Sequence, residues 1–240
     1  MRLLSLSDLK QKYSVNVVKV IKFPFLSKVT TLSTIILITA ALSLLGCKGS
    51  TVEVKNLPWQ VSLNEAGQVE VFDVTLGKST LTEAVNQWHV EAKVALFESP
   101  EGERSLEGYF GRVKLGPFSA HMVARIEVPP EDMEKFVAGR VKRAPMPSGV
   151  KRYKLKSEHL KQAYGLVVSE ITYIPLISSD DKLLQQRFGE PVERQDLAEG
   201  RSLWFYPNKG VVVILDENDK EVFQYFNPEN YQRVRARLAA

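Results

Sequence analysis

Cysteine is nearly absent from this sequence: Cys47 is the only one in 240 residues. An intramolecular disulfide is therefore excluded in any compartment, and so is a cysteine-rich zinc site. Histidine is scarce as well. His89, His121 and His159 stand alone, with no second His or Cys three or four positions on, and neither a metal nor a cofactor is expected. No Gly-x-Ser-x-Gly elbow occurs. Gly77-Lys78-Ser79-Thr80 has the ending of a phosphate-binding loop, but the opening glycine that motif requires is replaced by Phe72. The expectation is a protein that is not an enzyme. Triads assembled from distant residues leave no local signature, so a hydrolase with an unrecognised site stays as a third reading.

Excess charge is also lacking once it is located. The formal net charge of +4 and pI near 9.0 suggest a nucleic-acid or membrane partner. Residues 1–46, however, hold six basic groups (Arg2, Lys10, Lys12, Lys19, Lys22, Lys28) and one acid, Asp8, leaving 26 basic and 27 acidic residues in 47–240. The basicity belongs to the leader, and nucleic acid is not expected as a partner. At 44% hydrophobic and 25% charged, the chain has the composition of a globular protein.

One long apolar run is present. Val29 to Leu45 is 17 residues without a charge, preceded by Lys28. A basic segment before an apolar one is the secretory pattern. Its length is at the short edge of what spans a bilayer, about 17–25 residues. The run ends in Leu44-Leu45-Gly46-Cys47. A large aliphatic, then a small residue directly before Cys, is similar to the lipobox of bacterial lipoproteins. That resemblance implies a thioether-linked lipid on the Cys47 sulfur, cleavage before Cys47, and acylation of the new amine, for example by palmitate. Several chains, each buried CH₂ contributing about 0.8 kcal/mol, hold a protein to a bilayer where a single chain does so only marginally. The next residue is Lys48 rather than Asp, which by resemblance to Gram-negative sorting favours the outer membrane over inner-membrane retention. Two other readings stay open, an uncleaved signal anchor and a buried helix. With cations on the N-terminal side of the run, the signal anchor would export the remainder too.

After Cys47 the chain resembles itself at an offset of 97 to 100 residues. Gly67-x-Val69 echoes Gly165-x-Val167, and Val74-x-Leu76 with Ser79 echoes Ile174-x-Leu176 with Ser179. Glu101-Gly102-Glu103-Arg104-Ser105-Leu106 echoes Glu199-Gly200-Arg201-Ser202-Leu203, one residue shorter. Pro130-Glu131-Asp132 echoes Pro228-Glu229-Asn230. The expected organisation is a signal peptide (1–46), a lipidated tether (47–66), a first α+β repeat (67–138), a basic linker with a short helix (139–164) and a second α+β repeat (165–240).

Each repeat reads as a helix packed on a three- to four-stranded antiparallel meander with a short terminal helix. Thr80-Leu81-Thr82-Glu83 is a capping box, and Leu81, Ala84, Val85 and Trp88 share one helical face. In the second repeat Ser178 or Ser179 caps, Leu183, Leu184 and Phe188 face inward, and Gly189 and Pro191 end the helix. Strands are expected at 92–97, 105–114 and 121–128, then at 192–197, 202–206, 211–215 and 221–226. Their short turns permit only antiparallel neighbours. Pro130 and Pro228 open the terminal helices. The stretch 138–156 carries seven cations and no acid, with Pro145, Pro147 and Gly149, and reads as a solvated connector. Contact of its charges with anionic lipid is the alternative.

The lipobox, the short tether, Leu76-Gly77-Lys78-Ser79 before one helix and Leu184-x-x-x-Phe188-Gly189-Glu190-Pro191 ending the other resemble the SmpA/OmlA (BamE-like) family. In fold the tandem β-lactamase inhibitor protein is similar. Trp88-His89-Val90 departs from the Gly-x-Pro that ends the helix in that family. The resemblance implies an envelope lipoprotein of α+β fold.

Leu203-Trp204-Phe205-Tyr206 sends Trp204 and Tyr206 to one face of a strand. Large aromatics suit interfaces, so these two residues are the candidate partner-binding site, with packing inside the protein as the alternative. At the corresponding place in the first repeat stands Glu107. Together these features lead to the expectation of a lipid-anchored outer-membrane protein on the periplasmic side, with a non-catalytic binding or assembly role toward an envelope protein partner. The alternative is a protein inhibitor of a periplasmic enzyme.

Overall fold

The computed structural model describes residues 54–239. The leader, the lipobox with Cys47 and the start of the tether lie outside the described residues.

Short runs rich in apolar, β-branched and aromatic residues, separated by turns, build two antiparallel meanders. The first is β4 (Lys93–Glu98), β5 (Arg104–Leu115) and β6 (Phe118–Ile126). The second is β10 (Glu193–Leu197), β11 (Arg201–Tyr206), β12 (Val211–Asp216) and β13 (Val222–Phe226). These bounds fall within a few residues of those expected. The two meanders do not form separate sheets. Strand β9 (Val168–Pro175) pairs with β6 on one side and β13 on the other. With β7 (Arg140–Pro145) and β8 (Lys151–Leu155) the result is one ten-stranded sheet, in the order β10-β11-β12-β13-β9-β6-β5-β4-β8-β7. A small second sheet holds β1 (Ser62–Leu63), β2 (Val69–Val71) and β3 (Val74–Thr75). With five α-helices among the described residues, the fold is α+β.

The stretch expected as a linker is thus partly a hairpin. β7 and β8 pair antiparallel, and β8 joins β4. Cations and prolines belong on a sheet edge, where they discourage pairing with another chain, so their presence did not preclude strands.

Helix α1 (Leu81–Trp88) begins at the expected capping box. Glu83 N donates to Thr80 Oγ1 at 3.2 Å, and Thr80 N to Glu83 Oε2 at 2.7 Å. Leu81, Ala84 and Trp88 are its buried face. Trp88 donates from Nε1 to the Phe72 carbonyl at 2.9 Å and meets Phe110 edge-on. Helix α2 (Pro130–Ala138) starts on Pro130 as expected. Helix α3 (Ser157–Tyr164) and helix α4 (Asp181–Phe188) come next. The cap of α4 is Asp180, whose Oδ1 accepts from Leu183 N at 2.7 Å, rather than Ser178 or Ser179. A carboxylate is the better acceptor beside the positive helix end. Helix α5 (Tyr231–Leu238) is reached through a 3₁₀ turn at Pro228–Asn230.

The core lies mainly on one face of the large sheet. There Leu81 and Trp88 of α1, Phe136 of α2, Ala163 of α3, and Leu184 and Phe188 of α4 pack with the small sheet against Leu96, Leu106, Met122, Ile171 and Val213. A line of ring contacts crosses this layer. Phe72 stacks on Tyr173 at 5.3 Å, Tyr173 meets Phe223 at 5.5 Å, and Phe223 meets Phe188 at 5.8 Å. Each such pair contributes about 0.5–1.5 kcal/mol beyond its buried area. Among the described helices α5 alone packs on the opposite face, where Val234 and Leu238 meet Leu203, Phe205, Val212 and Phe226.

The β5–β6 turn shows how the start of the described chain is held. Gly116 has φ +55°, the sign a two-residue hairpin loop opening on glycine requires. A Cβ there would come 2.6 Å from the Lys55 carbonyl oxygen. Residue 55 is therefore packed on this turn.

Candidate interaction surfaces

The expected aromatic site is core. Trp204 and Tyr206 are 5% and 4% exposed and lie under α4, not on an open face. Tyr206 packs on Phe188 at 5.4 Å and donates from Oη to the Gly189 carbonyl at 3.1 Å. Burial pushes its hydroxyl up to about 12. The Arg194 guanidinium covers Trp204 at 4.4 Å from the ring centroid. Alternation does separate Leu203 and Phe205 from Trp204 and Tyr206, but both faces of β11 are covered, one by α4 and the other by α5. A strand with a helix on each side has no free aromatic face to offer a partner.

The matched sequences around Leu106 and Leu203 also face opposite ways. Leu106 points into the main core, whereas Leu203 points toward α5. The copy is one residue shorter, and a shift of one residue turns every side chain to the other face. Glu107, on the face away from the main core, accepts from Ser105 Oγ at 2.8 Å.

Where α5 crosses its face of the sheet, two carboxylates flank it. Glu170 of β9 is 1% exposed. Arg237 donates to its Oε1 from Nη1 at 3.0 Å and to its Oε2 from Nη2, Gln224 donates to Oε2 at 2.8 Å, and Arg233 lies 3.5 Å away. Burial pushes the Glu170 carboxyl up, but the charge and hydrogen bonds of Arg237, with Arg125 and Arg233 behind it, outweigh burial and hold it below the usual carboxylate range. On the other flank Glu193 of β10 accepts from Tyr231 Oη at 2.8 Å and from Arg235 Nη2 at 2.6 Å. Hydrogen bonds from Arg235 and Tyr231 hold this carboxyl low as well. The geometry clips a helix to a sheet; both carboxylates are fully engaged in it.

Charge is segregated along the sheet. At the β7 edge, Glu98 meets Lys151 at 2.8 Å, Arg104 at 3.8 Å and Arg140 at 3.9 Å. These cations, first the Lys151 hydrogen bond, hold its carboxyl low. Arg143, Lys154 and Lys156 are exposed and have no acid partner among the described residues. At the β10 end, a cleft of about 320 Å³ is lined by Asp181, Asp196, Asp216, Glu217 and Glu221, with Arg201. Glu221 is occupied there, accepting from Ser179 N at 2.6 Å.

Gly77-Lys78-Ser79-Thr80 forms a turn and cap: Ser79 Oγ accepts from Thr75 N at 3.1 Å, and Thr80 caps α1. The three histidines are spread over the fold. His89 ends α1 with φ +55°. His121 Nδ1 lies 3.1 Å from Tyr109 Oη on β5, and His159 packs against Phe136. Among the described residues no group of three or more His, Cys, Asp or Glu is placed to hold a metal ion, and no helix is long and apolar enough to cross a membrane. The buried ion pairs escaped sequence reasoning because Glu170 and Arg237 are 67 positions apart. No protein-family model matches the chain, and neither curated proteins nor solved structures give a match.

Proposed function

We propose that this chain is an exported lipoprotein, anchored through Cys47 to the periplasmic side of a Gram-negative outer membrane, with a non-catalytic binding or assembly role. The observation that carries this reading is Leu44-Leu45-Gly46-Cys47 at the end of 17 uncharged residues behind a basic segment. The engagement of the buried Glu170 and the half-buried Glu193 in holding α5 supports a non-catalytic body. The body itself is read as two tandem α+β repeats in the manner of the SmpA/OmlA (BamE-like) family. The recurring order α1–β4–β5–β6–α2 and α4–β10–β11–β12–β13–α5 supports this. Replacing Cys47 with Ser tests the anchor: the variant is expected to leave the membrane fraction or to stay unprocessed. Unchanged processing and fractionation of Cys47→Ser would overturn it. Mild crosslinking in the intact envelope then separates a multiprotein envelope complex, expected here, from a single soluble enzyme as partner, which would make the chain an inhibitor.

A further inference from the structure

We infer that the β7–β8 hairpin is a second membrane contact, which lays the basic edge of the sheet on anionic lipid phosphates. The inference rests on the lipid-anchored reading for its setting, but on different residues. From 139 to 164 the chain has eight cations and one acid, Glu158, in a molecule whose residues 47–240 are close to neutral. Only part of that charge is used internally. Glu98 engages Lys151, Arg104 and Arg140, and Arg140 also lies over the Tyr153 ring at 5.1 Å.

Arg143, Lys154 and Lys156 project into solvent, and between the strand cations Val141 is 62% exposed. The register puts Arg143 opposite Tyr153 on one face of the hairpin, while Lys154 points to the other. Cations on both faces of an edge hairpin converge on whatever lies beyond the edge, and an apolar side chain among them suits a bilayer interface. Cations at an anionic surface each strengthen attachment, and the effect decays within a Debye length.

Two further features fit a membrane better than another occupant. The acidic cleft lies across the ends of β10, β11 and β12, seven to nine strand positions from β7 in the sheet. An anionic surface therefore attracts one edge and repels the other, which orients the body. The leash also reaches. Residue 55 is packed on the β5–β6 turn, and β5 is three strands from β7. With the β7 edge lying on the bilayer, three strand spacings of about 4.8 Å put this turn about 14 Å above the surface, while β7 and β8 themselves pair level with Leu106, about ten residues along β5 from the turn. The eight residues from Cys47 to Lys55 extend to at most about 27 Å.

The test uses the protein extracted from its own membranes and reconstituted into vesicles of phosphatidylcholine, or of phosphatidylcholine with one-third phosphatidylglycerol. Amide hydrogen exchange is followed along 140–156. The expected result is protection of β7 on the anionic vesicles alone, lost at high salt. In the variants Arg143→Glu and Lys154→Glu, the anionic-lipid-dependent binding should fall at least fivefold for each residue. Equal protection on both vesicle types would overturn the inference. So would protection in the absence of vesicles that rises with protein concentration, which would mark β7 as a strand-pairing edge between chains. The intact mass reports separately whether Cys47 carries lipid, and an unlipidated chain should still prefer the anionic vesicles through this hairpin.

Discussion

In the C-terminal half of the large sheet a helix lies on each face; in the N-terminal half the helices gather on one. Helix α4 covers Trp204 and Tyr206 while α5 covers Leu203 and Phe205. Beside them, α1, α2 and α3 all join the main core, and the other face of β4–β6 carries, among the described residues, a small cluster of Ala95, Phe97, Val123 and Val150. The last helix of each stretch follows a Pro-Glu pair, α2 starting on Pro130 and α5 after the 3₁₀ turn at Pro228–Asn230, yet the two go to opposite sides. The side chains beyond that pair make the difference. Helix α2 offers Phe136 to the core, whereas α5 offers Val234 and Leu238 flanked by arginines that meet Glu170 and Glu193. Carboxylates on β9 and β10 thus hold α5 on the side where its apolar residues dock.

The largest effect should come from breaking the doubly covered strand. Trp204→Ala is expected to cost about 3–5 kcal/mol in urea unfolding, as for a large core side chain. A ring on an exposed docking face would instead leave stability within about 0.5 kcal/mol. Next is the clip. Glu170→Gln leaves Arg237 buried beside a neutral amide and is expected to cost about 2–3 kcal/mol at neutral pH. The sign of the pH dependence comes from the depressed folded-state pKa of Glu170. Its contribution is fully present above the unfolded value of about 4.3 and is lost as pH falls toward the lower folded value. Unfolding midpoints measured from pH 7 down to pH 3 should therefore drop less steeply in Glu170→Gln than in the parent.

The smallest effect compares the matched helices. Thr80→Ala and Asp180→Ala each remove a cap and should each cost about 1 kcal/mol. Amide exchange is expected to rise at the first turn of α1 in one variant and of α4 in the other. An unchanged pattern would mean that packing alone holds these ends.

Much of this architecture is readable from local residues. Thr80 and Glu83 announce α1, and the short apolar runs Leu203–Tyr206 and Val211–Leu215 between turns announce β11 and β12. What escapes is whatever depends on pairing across the chain. Strand β9 joins the two meanders through partners on β6 and β13, and nothing in Val168–Pro175 names them. The cations of β7 and β8 read as a solvated connector because solvated edges and connectors share a composition. Trp204 and Tyr206 read as a surface because the helix covering the other side of β11 begins 25 positions later. The candidate surface now lies at the basic edge, built from residues that local patterning assigns to a link.

A lipid anchor on Cys47, as proposed, would set this body against a membrane, and the intact mass of the protein extracted from the membrane fraction tests it directly. The expected species is a chain beginning at Cys47 with a thioether-linked lipid and an acylated amine. A chain of full length from Met1 without lipid, or one recovered from the soluble fraction, would contradict the lipoprotein reading.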